Sequence, residues 1–164
     1  MLRLILLTGV LATAPLFSAS IDPSLKDGEL KWFSLTETKA EVLQKVGPPA
    51  NVTTFGSDFE GWQYHAGNTD HHEYSHYFVF RRSTGRLISV TRAYEEEQNV
   101  DALFPPAHTA VHRTADKLWG ARVCSLNGGR RLIAMGSTKP GERTSQLLLI
   151  LDSELRYFHP WLAD

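Results

Sequence analysis

Alternation constrains this chain more than any other feature. Residues 60–90 read EGWQYHAGNTDHHEYSHYFVFRRSTGRLISV, and two stretches of that run repeat with a period of two. Trp62, Tyr64 and Ala66 share one side against Gln63 and His65. Tyr74, His76, Phe78 and Phe80 then share a side opposite Ser75, Tyr77 and Val79. A period of two belongs to strands, whose successive side chains point to opposite faces. Ser83-Thr84-Gly85-Arg86 reads as a tight turn. In the strand that returns from it, Ile88 and Val90 should face as Phe78 and Phe80 do, and Leu87, Ser89 and Thr91 should point away. The expectation is an antiparallel meander with one face covered by a helix.

The same stretch carries a competing signal. His72-Glu73-Tyr74-Ser75-His76 matches HExxH, the zinc-protease pattern. On a helix the two histidines would stand about 6 Å apart on one face and could chelate one ion, with Glu73 as base. Asp70 could cap that helix. Glu96 or Glu97 lies where a third ligand would be sought, and Glu97 with Asp101 mimics a follow-on pair. On a strand, positions i and i+4 are roughly 13 Å apart, and no single ion bridges them. Tyr77-Phe78-Val79-Phe80 is β-prone and runs straight into a turn, which favours the strand. A milder metal reading pairs His65 with His71 or His72 across the intervening connection. Phosphate-binding glycine loops, Gly-x-Ser-x-Gly elbows and Cys-x-x-Cys pairs are absent from the sequence. The expectation is therefore a non-catalytic chain with no cofactor.

With 164 residues there is room for one ordinary domain or two very small ones. A net charge of −1 offers no basic face to offset phosphate, so no nucleic-acid partner is expected. Residues 1–20 read as a signal peptide: Arg3 supplies the positive start, Leu4 to Leu11 the apolar run, and Ser18 and Ser20 the small residues before a cut at Ile21. That predicts export, to the periplasm or beyond, with no membrane span in the mature chain. Cys124 is the sole cysteine, so no internal disulfide forms and no lipid-bearing cysteine follows the cut. Its apolar neighbours suggest a small buried side chain.

Thr36 to Val46 reads as a short helix. Thr36 or Thr38 can cap it; Thr38 with Glu41 makes a capping box. Ala40, Leu43 and Val46 would form its apolar stripe, flanked by Val42. Gly47 then ends it and Pro48-Pro49 forbids continuation. Asn51 to Phe55 is a strand candidate. Glu95-Glu96-Glu97 reads as the acidic first turn of a second helical segment toward Leu103, stopped by Pro105-Pro106. Strands are expected at 110–113, 120–126, 131–136 and 145–151, with Asn127-Gly128-Gly129 as a hairpin turn. Leu155 to Phe158 and a Trp161-Leu162 plug close the chain.

Pro48-Pro49-Ala50 followed by Trp62 recurs as Pro105-Pro106-Ala107 followed by Trp119, each offset by 57 residues. This pattern raises an internal duplication.

Helix, Gly-Pro, strand, Trp-x-Tyr strand, aromatic strand, glycine turn and returning strand follow in order. Carried by "EVLQKVGPP", "WQY" and "YFVFRRSTGRLISV", this order resembles the SmpA/OmlA (BamE-like) domain of outer-membrane assembly proteins. The β-lactamase inhibitory proteins carry a similar domain in tandem. The resemblance covers Thr36 to about Tyr94, and more loosely Asn99 to Phe158. It implies an α+β fold of short helices packed on a curved antiparallel sheet, as two tandem units if the duplication holds. Residues 21–94 would be the first unit and 95–164 a second, degenerate β-rich unit packed on it. It also implies a protein-binding or envelope-scaffold role without catalysis. The chain departs from the assembly factors in lacking the lipid-bearing cysteine, and from the inhibitors in lacking disulfides. Gln63, His65 and Tyr77, on the side away from the aromatic core, are the expected protein-docking surface. The reading from another class is a small zinc-dependent hydrolase using His72, His76 and Glu96, with Glu73 as base. A third is a purely structural module.

Overall fold

The computed structural model describes residues 27–65 and 74–163. The signal peptide with its cut at Ile21, and the connection holding Ala66, Asp70, His71, His72 and Glu73, lie outside the described residues.

Among the described residues, eight antiparallel strands make one sheet: β1 (Asn51–Phe55), β2 (Phe59–His65), β3 (Tyr74–Arg81), β4 (Arg86–Gln98), β5 (Thr109–Arg113), β6 (Gly120–Leu126), β7 (Arg130–Met135) and β8 (Thr144–Leu151). Their order across the sheet is β1-β2-β3-β4-β8-β7-β6-β5. Two four-stranded meanders thus meet along β4 and β8, with Val90 opposite Leu149 and Arg92 opposite Leu147. Pro48-Pro49-Ala50 leads into β1 and Pro105-Pro106-Ala107 toward β5, the two outermost strands. Trp62 is buried within β2, whereas Trp119 is exposed just before β6.

The expected α+β fold of helices packed on a sheet is corrected by this architecture. Among the described residues only α1 (Lys39–Val46, eight residues) and α2 (Leu155–Phe158, four residues) are α-helical, beside short 3-10 turns. The sheet carries the fold. A second correction explains part of the first. Glu95-Glu96-Glu97 does not open a helix but continues β4, and only Asp101–Leu103 forms a 3-10 turn. Pairing to β8 lapses after Ala93 and resumes at Gln98 opposite Thr144, so the three glutamates run extended through an irregularity between two paired stretches of β4.

α1 forms as its ends dictate. Thr38 and Glu41 make the reciprocal capping box, and Gly47, at φ 78°, donates its N–H to the Leu43 carbonyl. Its buried anchor is Val42, however, while Leu43 is exposed. Lys39 pairs with Glu60 at 2.8 Å and Tyr64 donates to the Gly47 carbonyl at 2.9 Å, and both contacts tie the helix to β2.

Two cores follow from the two faces of the sheet. On the helix face, Leu30, Phe33, Leu35 and Val42 cover Trp62, Tyr64, Phe78, Phe80, Leu87, Val90, Leu147, Leu149, Leu132 and Cys124. This cluster crosses the β4–β8 junction without a break, and the 94/95 boundary expected between two units lies inside β4. Rings of Phe33 and Tyr64 meet Phe78 edge-on, each at 5.2 Å. On the opposite face, Ala121, Val123, Ile133, Leu148 and Ile150 are covered by a C-terminal strap, residues 152–162, through Leu155 and Leu162.

The returning strand departs from simple alternation. Val79 pairs with Ser89 but Phe80 pairs with Leu87, so Ile88 is the extra residue of a β-bulge. The bulge moves Leu87 onto the helix face beside Phe80, where alternation alone had placed Ile88.

Candidate functional site

The strap leaves part of its face uncovered. Over β5 to β8 it fills the sheet, and it ends against β2 and β3. Arg81 donates to Glu154 through Nε at 3.2 Å and also through Nη2. Its guanidinium lies 4.9 Å from the Phe59 ring and 5.4 Å from the Tyr157 ring. Phe59 also meets Phe158 at 4.9 Å, and Arg131 pairs with Asp152 at 3.0 Å. These contacts make the strap a wall rising from the middle of the sheet.

Beyond that wall the first meander presents Gln63, Val79, Tyr77, Ser75 and Thr91, paired across β2, β3 and β4. Tyr77 is 37% exposed, and its hydroxyl accepts from the Gln63 amide at 3.1 Å. Val79, Ser75 and Thr91 are half-buried. Gly61 in the middle of β2 has no side chain to fill this face, and the Phe55 ring lies over it. A Cβ there would come within 2.5 Å of the ring. Phe55 itself is 49% exposed. The result is a shallow aromatic and polar platform with one charged, aromatic wall. A tyrosine held by a neighbouring amide spends little entropy on docking, and such rings dominate protein contacts.

Of the three expected surface residues, Gln63 and Tyr77 are brought together here. His65 closes β2, in register with Ser75. Sequence reasoning missed Phe55, Phe59, Arg81 and Tyr157. The apolar spacing of Leu155, Phe158 and Leu162 signals the strap, but nothing local tells which sheet face receives it.

His76 lies elsewhere and does something different. It sits on β3 with its side chain fully buried on the helix face, and its Nε2 accepts from Arg92 Nε at 3.0 Å. Burial first, and the Arg92 charge second, push the imidazole down to about 3. It is therefore neutral, with its proton on Nδ1. Because β3 begins at Tyr74, the second half of the HExxH pattern is extended rather than helical. Glu96 and Glu97 are exposed on β4. Among the described residues, no group of three or more His, Cys, Asp or Glu side chains is placed to hold a metal ion.

No family model matches the chain, and no curated protein matches it. Among solved structures, the chain is similar to an extracellular protein containing a SCP domain from Bacillus anthracis str. Ames. The identity is 11% and the TM-score 0.41, over 91% of this chain and 51% of that one. The chain thus spans about half the length of that protein. No helix among the described residues is long and apolar enough to cross a membrane.

Proposed function

We propose that this chain is an exported, non-catalytic protein-binding module, related to the SmpA/OmlA group, that docks a partner on the open platform of its first meander. The observation that carries the reading is the hydrogen-bonded Gln63–Tyr77 pair on a half-apolar sheet face, beside the Arg81–Glu154 wall, that no described element covers. Side chains there are pre-positioned by strand geometry, so a partner meets an ordered surface. Export rests on the leader-like residues 1–20 of the sequence.

The test is capture from an envelope extract followed by a direct titration with the purified partner. Wild type is compared with Tyr77→Asp and Gln63→Ala, each checked for an unchanged melting curve. Tyr77→Asp should weaken binding by about 2 kcal/mol or more, the loss expected when a central aromatic contact is removed. Binding that survives both substitutions, or the lack of any stable partner, would overturn the proposal and favour a purely structural module.

A further inference from the structure

β1 ends the sheet on one side and β5 on the other, and the two edges differ. An unpaired strand edge offers a row of main-chain donors and acceptors, and proteins usually blunt it with charge, proline, a bulge or a cover. β5 carries His112 and Arg113, and the last turn of the strap packs beside it. β1, Asn-Val-Thr-Thr-Phe, has none of these devices among the described residues. It bears no charge and no proline within the strand, and it pairs with β2 residue for residue without a bulge. All five residues are exposed, Val52 at 55% and Phe55 at 49%. Among the described residues no strand lies beyond it.

We propose that β1 pairs antiparallel with β1 of a second copy of this chain, joining two sheets across a two-fold axis at Thr53. A neutral, β-branched and aromatic edge is the kind that meets its own copy without charge repulsion. Antiparallel pairing centred on Thr53 engages all five residues, setting Asn51 against Phe55, Val52 against Thr54 and Thr53 against Thr53. Any other centre engages fewer. This register also keeps like faces together, because a strand shifted by one residue turns every side chain over. Both open platforms therefore lie on the same side of the joined sheet, and the closed two-fold prevents further growth. Five paired residues make an interface at the low end of the stable range, so the dimer dissociates on dilution.

The experiment is sedimentation velocity on the full chain across a wide concentration range, beside Thr53→Lys and Thr53→Cys. Wild type should move from monomer to dimer as concentration rises. Thr53→Lys, which sets two ammonium groups opposite one another at the axis, should shift that midpoint severalfold upward without changing the circular dichroism. Residues facing across an antiparallel pair have Cα atoms about 4.5–5.5 Å apart, within disulfide range. Mild oxidation of Thr53→Cys should therefore give a covalent dimer joined through position 53, identified by peptide mass. Thr54→Cys, off the axis, should not cross-link. A wild type that stays monomeric throughout, a dimer indifferent to Thr53→Lys, cross-linking that fails at 53 or proceeds equally at 54, or open-ended filaments would each overturn the proposal. None of these readouts depends on a partner for the platform.

Discussion

His76 should make this protein acid-sensitive in a window where ordinary carboxylates are still ionised. Its imidazole is buried, accepts a hydrogen bond from Arg92 and is pushed down to about 3, whereas in the unfolded chain it titrates near its ordinary 6.5. Between those values the unfolded chain binds a proton that the folded one refuses. Stability is therefore fully present above about pH 6.5 and falls as pH drops, by about 1.4 kcal/mol per pH unit until the folded value is reached. From about pH 7.5 to about pH 4.5 the loss from this group is roughly 2.7 kcal/mol. Protonation in place would set an imidazolium against a guanidinium in the core, which is why the energy appears as unfolding. Glu37 and Glu60 also lose stability toward acid. Glu37 is held below its usual range by backbone and Lys45 hydrogen bonds that outweigh burial, and Glu60 chiefly by its hydrogen bond from Lys39. The measurement is therefore a difference. Urea unfolding of wild type and His76→Gln is followed across that window, because the amide can still accept from Arg92 but does not titrate. Wild type should lose about 2.7 kcal/mol more than the variant, within a factor of two. Parallel pH profiles, or a His76 ring signal that titrates near 6.5 in the folded protein, would refute the reasoning.

Three further outcomes are expected. Thr38→Ala removes the capping box of α1 and should cost about 1 kcal/mol in chemical denaturation. Phe78→Ala, at the centre of the helix-face cluster between Phe33 and Tyr64, should cost about 3–5 kcal/mol and lower the melting temperature accordingly. Glu154→Gln keeps the shape but removes the charge that Arg81 donates to; it should cost roughly 2 kcal/mol and speed proteolytic cleavage within residues 152–162.

Much of this architecture is written locally. A capping box, a glycine able to adopt positive φ and two prolines mark out α1 within a few residues, and each is a short-range effect. Strands β5 to β8 are legible to within a residue at each end, because Gly128 and Gly129 supply the positive φ of a hairpin and the flanking residues suit strands. On β2 and β3 the period of two separates Trp62, Tyr64, His76, Phe78 and Phe80 from Gln63 and Tyr77 as the structure does. Cys124 is buried, as its neighbours suggested.

The rest depends on contacts between residues far apart in the chain. Three glutamates favour a helix start in isolation, yet they stay extended in β4 between Ala93 and Gln98, both of which pair with β8 some fifty residues later. Ile88 and Leu87 differ little in propensity, and only the register against β3 decides which faces the core. Nothing near His76 announces Arg92; the pairing of β3 with β4 sets them opposite one another and turns half of a metal motif into a buried, neutral acceptor. The strap covers one half of a face and leaves the other open because Leu155, Leu162 and Glu154 find partners on β8, β7 and β3. Periodicity and capping are properties of a few adjacent residues, so the sequence alone marks the two ends of α1, the β6–β7 hairpin turn and the alternation along β2 and β3. Which strands become neighbours, and which surface stays exposed, follows from burial shared across the whole chain, and that only the tertiary structure decides.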